Sequence, residues 1–135
     1  MSRKYLLGVV LGLCTLGVQL GAKVNSDFDG PSLTGRYVAG ADSMAISVND
    51  LGQVEGFYVR DGAFGEISGK LVDGIIVGSW MESSGATVCS SKKRDYSSWG
   101  PVEASLDSEG HLAVQLGACR ESQVSAARWI LQRKE

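Results

Sequence analysis

Three times in this chain a glycine is followed by three residues of strand-forming character and a second glycine: Gly52-Gln-Val54-Glu-Gly56, Gly65-Glu-Ile67-Ser-Gly69 and Gly74-Ile-Ile76-Val-Gly78. The first glycine of each unit ends a turn, where a positive φ is free only for Gly. The β-branched centre then begins a strand. Because strand side chains alternate between faces, Val54, Gly56 and Tyr58 share one face, as do Ile67, Gly69 and Leu71, and Ile76, Gly78 and Trp80. A glycine repeated on the apolar face of successive strands lets a sheet coil tightly toward closure. Packed membrane helices use the same spacing, but inside about twenty apolar residues; here Asp50, Glu55, Arg60, Asp61, Glu66, Lys70 and Asp73 interrupt the region.

Residues 1–22 read as a secretory signal, with Arg3 and Lys4 as the charged start, Tyr5 to Leu20 as the apolar stretch and Gly21-Ala22 before the cut. The alternative is an uncleaved anchor, since Tyr5 to Ala22 is 18 residues and just long enough to span; its four glycines, Thr15 and Gln19 argue against that. Leu13 before Cys14 is too large for a lipid attachment site. Cleavage after Ala22 would leave 113 of 135 residues, one domain in a secreted or periplasmic setting with no further membrane contact. Its eleven basic and fifteen acidic residues give a formal charge of −4, which offers nothing to nucleic acid. Cys89 and Cys119 then remain as the only pair, free to form one bridge; the alternative is two separately buried thiols.

A polar leader at 23–32, closed by Gly30-Pro31, precedes a barrel domain at 33–135. Strand patterns run over Leu33 to Ala39, Ser43 to Asn49, Gln53 to Arg60, Glu66 to Val72, Ile75 to Glu82, Trp99 to Asp107, the stretch around Leu112, Val114 and Leu116, and Ala126 to Gln132. Asp61-Gly62 with Gly65 bounds one turn and Asp73-Gly74 another. No segment has a helical period. The expected fold is all-β, a single antiparallel up-and-down barrel of about eight strands that leaves no sheet edge exposed; a two-sheet sandwich is the alternative.

Candidate chemistry is sparse. His111 is the only histidine and sits at a turn, serines lack a nucleophile elbow, and the cysteines lack metal-ligand spacing, so neither catalysis, a metal nor a cofactor is expected. Asn25-Ser-Asp27-Phe-Asp29-Gly30 opens like a calcium loop, but Arg36 stands where the bidentate Glu belongs. The Ser-rich stretch 83–98 carries Lys92, Lys93, Arg94 and Tyr96 beside Cys89; it reads either as a solvated loop or as a surface for docking a secreted or periplasmic protein. Tyr58 and Trp80 share the inward face with glycines, so they either fill the barrel or line a small-molecule site.

Leu33-Thr34-Gly35-Arg36-Tyr37, Ser43-Met44-Ala45-Ile46, Gly52-Gln53-Val54-Glu55-Gly56-Phe57-Tyr58, Gly78-Ser79-Trp80 and Ala127-Arg128-Trp129-Ile130-Leu131 together resemble the avidin/streptavidin family. The resemblance implies that fold, a ligand site at Ser43, Tyr58, Trp80 and Trp129, and a homodimer like the short bacterial members with paired cysteines. It does not imply biotin, because Ala39 stands where the family places the Asn that binds the ureido oxygen. Two functions are therefore expected: a non-enzymatic barrel binding a small apolar or amphipathic ligand, or a protein-docking inhibitor or immunity-type barrel acting through residues 83–98.

Overall fold

The computed structural model describes residues 32–84 and 87–134. The expected signal segment, the leader up to Pro31 and the calcium-like stretch lie outside the described residues. All regular structure among the described residues is strand: β1 Gly35–Ala39, β2 Asp42–Val48, β3 Gln53–Arg60, β4 Ala63–Val72, β5 Ile75–Glu82, β6 Ser98–Leu106, β7 Leu112–Leu116 and β8 Trp129–Arg133. Each pairs antiparallel with the next, and β8 returns to β1 through Tyr37↔Arg133 and Val38↔Gln132, closing an up-and-down barrel rather than a sandwich.

Local chemistry sets the turns. Asp61-Gly62 and Asp73-Gly74 take positive φ at both positions (52° and 81°, 53° and 82°), the two-residue geometry whose twist matches a hairpin. The first turn is complete without Gly65, so β4 begins at Ala63, earlier than its sequence pattern predicts, and Gly65 faces the interior. Asn49 and Asp107 each cap a longer turn, their Oδ1 atoms accepting two backbone N–H groups at 2.9 Å. The last strand starts at Trp129 instead of Ala126, because Ser125 Oγ accepts the Ala127 N–H and holds that stretch in a turn.

The alternation expected on β3, β4 and β5 places Val54, Tyr58, Ile67, Ile76 and Trp80 in one core with Tyr37, Met44, Ile46, Val102, Ala104, Leu112, Val114 and Leu131. Gly69 and Gly78 face each other across β4 and β5, where a side chain on either would collide with the opposite backbone: Val77 O and Gly78 Cα on one side, Ser68 O and Gly69 Cα on the other. A Cβ on Gly56 would lie 2.9 Å from Ala45 O. These glycines therefore permit close strand approach, as the repeat requires.

The chain after β5 folds over the outside of the sheet. Met81, Cys89 and Trp99 form a small second core against which Tyr96 packs. A disulfide joins Cys89 to Cys119, with Cα atoms 5.3 Å apart, and the Cys119 N–H donates to Trp99 O at 2.8 Å.

Candidate functional site at one mouth of the barrel

The register aligns one inward row around the barrel, Met44↔Tyr58↔Gly65↔Glu82↔Ser98, at the rim formed by the ends of β3 and β5. Gly65 lets this row work as a unit. Its missing side chain makes room for the Tyr58 ring, which crosses β4 and donates its hydroxyl to Glu82 Oε2 at 2.8 Å. Glu82 is only 4 % exposed, an unusual place for a carboxylate, since desolvating a charge costs several kcal/mol, roughly, unless partners compensate. Its other contact is an ion pair with Arg60, 3.5 Å to the same oxygen.

Trp129 completes the group. Its ring meets Tyr58 edge-on at 5.6 Å, and the Arg60 guanidinium lies over it at 5.6 Å from the centroid. Two buried polar atoms at this rim have no hydrogen-bond partner: Ser98 Oγ and Trp129 Nε1. A cleft of about 360 Å³ opens beside Arg60 and Trp129, bounded also by Asp42, Asp61, Ser125 and Arg128; Glu82 and Ser98 lie behind this lining, not on it. Burial, then the hydrogen bond and charge of Glu82, push the Tyr58 phenol far above its ordinary value, with Arg60 opposing. Tyr58 therefore remains a hydrogen-bond donor at neutral pH.

Of the residues expected from sequence, Tyr58 and Trp129 meet here. Trp80 lies one inward position deeper on β5, 3 % exposed, its indole N–H donating to Gly117 O at 2.7 Å, so it fills the barrel. Ser43 is not part of the site. It alternates with the inward Met44 and sits on the outer face beside Val38 and Val59, in a second cleft that it lines together with Phe57, Tyr58 and Phe64. Strand parity puts it on the other side of the wall from Met44, away from the position that the resemblance implies.

The basic stretch is tied to the barrel. Arg94 pairs with Glu66 at 3.0 Å, Tyr96 donates to the same carboxylate at 2.6 Å, and Lys93 pairs with Glu121 at 3.3 Å, while Lys92 is exposed. His111 lies in the β6–β7 turn at the opposite rim, near Asp107 and Glu109. Among the described residues no cluster of three or more His, Cys, Asp or Glu is placed to hold a metal ion.

No protein-family model, curated protein or solved structure matches this chain. Arg60, Glu82 and Ser98 were not singled out by the sequence reading. Parity was the available signal, since Arg60 follows Tyr58 by two and Glu82 follows Trp80 by two, but both sit at strand ends, where a charged residue ordinarily turns to solvent.

Proposed function

We propose that this protein is a secreted or periplasmic, non-enzymatic β-barrel that binds a small amphipathic ligand at the mouth framed by Tyr58, Arg60, Glu82, Ser98 and Trp129. The observation that carries this reading is the buried Glu82 carboxylate beside an unpartnered Ser98 hydroxyl. A purely structural core gains nothing from such a pair, whereas binding sites keep a few convergent polar groups on an apolar wall. The filled interior below Trp80 favours a ligand seated at the rim, not one swallowed by the barrel. The likeness of β3 and β5 to the avidin pattern agrees with a ligand contact at Tyr58, and the disulfide agrees with export.

The test is to load the mature protein with the low-molecular-weight fraction of a periplasmic extract, wash, and analyse by native mass spectrometry. A small molecule retained by the parent and lost from Trp129→Ala supports the reading. Failure to retain any, with capture of a protein partner that is lost on replacing residues 92–96, overturns it. That outcome would support the docking alternative, which draws on one observation: Phe57 and Phe64 are 54 % and 56 % exposed on the outer face, beside the Glu66 that anchors Arg94 and Tyr96.

A further inference from the structure

Arg60 already shows what the mouth accommodates. Its guanidinium lies over the Trp129 ring and points at Glu82, the arrangement by which an aromatic face and a carboxylate hold a cation. The fit to the carboxylate is loose. A charge-assisted N–H···O bond is ordinarily about 2.7–2.9 Å long, and the Arg60 contact is 3.5 Å. Glu82 thus has one short hydrogen bond, from Tyr58, although it is almost fully buried. Ser98, its direct partner across β5 and β6, is also 4 % exposed and holds its hydroxyl unpartnered. Asp42 and Asp61 flank the cleft against Arg128, so with Glu82 and Arg60 included the local balance is three negative groups to two positive.

We infer that the ligand of this site carries a compact organic cation, a primary ammonium, which takes the place of the Arg60 guanidinium between Glu82 and Trp129. This rests on the ligand-binding reading above. An ammonium has three donors on one atom, which suits two acceptors side by side: Glu82 takes one, Ser98 Oγ takes another, and the alkyl portion lies on Trp129. The planar guanidinium of Arg60, tethered two residues beyond Tyr58 on the same strand, reaches Glu82 only at its edge. Its side chain is 33 % exposed and swings outward by rotamer change when a better cation enters. Arg60 is then an internal competitor that keeps the buried carboxylate compensated in the free protein.

The experiment compares n-butylammonium, n-butanol and butyrate as probes of the mature protein, reading binding by calorimetry and the Trp129 indole N–H resonance by NMR, assigned with Trp129→Phe. The expected result is saturable binding of butylammonium alone, weakened about tenfold or more in Glu82→Gln, the scale of one lost charge-assisted hydrogen bond. Arg60→Gln should bind it several-fold more tightly, and Glu55→Gln, on the outer face, should match the parent. Should Glu82→Gln fail to fold, Ser98→Ala serves in its place with a several-fold loss expected. Butanol or butyrate binding as well as butylammonium overturns the cation inference and leaves the ligand-binding reading standing. No shift with any probe, in parent and Arg60→Gln alike, overturns it too; the extract experiment then decides the ligand-binding reading separately.

Discussion

Gly65→Ala is the sharpest test of how the mouth is built. The added Cβ would stand 2.5 Å from Tyr58 Oη and 2.6 Å from Cε2, so the ring has to leave its place over β4. Tyr58 is 2 % exposed, and its displacement overpacks the core at a cost of about 1–3 kcal/mol. Moving the ring also breaks its hydrogen bond to the Glu82 carboxylate, about 1.5–3 kcal/mol more. Against this, replacing Gly lowers unfolded-chain entropy and returns about 0.4–1 kcal/mol. The net expectation is a loss of about 2–5 kcal/mol. With a urea m-value of about 1–3 kcal/mol/M, the unfolding midpoint should fall by roughly 1 M or more. Tyr58→Phe loses only the hydrogen bond. Consequently Gly65→Ala should cost less in the Tyr58→Phe background, with a coupling of about 1.5–3 kcal/mol in the double-mutant cycle. Glu55→Val, on the exposed face of β3, is the control and should stay within about 0.5 kcal/mol of the parent. A Gly65→Ala midpoint equal to or above the parent's would refute the idea that the Tyr58 ring occupies the space over Gly65.

Gly69→Ala and Gly78→Ala should be more damaging than Gly65→Ala, because their new methyls meet backbone instead of a movable ring; soluble yield and urea midpoints of the three proteins rank them. Replacing Cys89 and Cys119 together by Ser should lower stability by about 3–4 kcal/mol on the chain-entropy account, checked by urea unfolding, and mass measurement of natively exported parent should find no alkylatable thiol. Tyr58 has a folded pKa raised above its ordinary 10.0, so its linked stability is complete below that pH and is lost as pH rises toward the folded value. Urea midpoints should therefore decline above pH 10.0, less steeply in Tyr58→Phe; identical slopes would show that Tyr58 is not held protonated by the fold.

Much of the barrel was legible because its signals are local. Gln53–Arg60 and Ile75–Glu82 match their sequence patterns end to end, each flanked by a turn whose residues leave little choice of geometry. Prediction slipped where a local preference had a neighbour acting on it, as at Gly65, where the two-residue turn ended sooner than a glycine-based boundary predicts, and at Ala126 to Arg128, held by Ser125. The site was legible in part. Tyr58 was legible as an aromatic on an inward position and Trp129 through the resemblance of its strand to the avidin pattern, whereas Glu82 and Ser98 carry residue types that ordinarily mark the surface.

Alternation, glycine spacing and Asp-Gly turns determine from the sequence alone that this chain is a meander of strands with one apolar face, since each depends on residues only a few positions apart. What the strands bring together depends on closure and register, which no local segment contains. Tyr58 reaches Glu82, 24 residues away, because β4 between them has Gly65 at the crossing point. Trp129 meets Arg60 because the last strand returns to complete the barrel. Ser98 lies beside Glu82 because the long segment after β5 folds back to pair β6 in that register, clamped outside by the Cys89–Cys119 bridge. The tertiary structure thus turned an inward-facing acid at a strand end into a buried carboxylate at a barrel mouth.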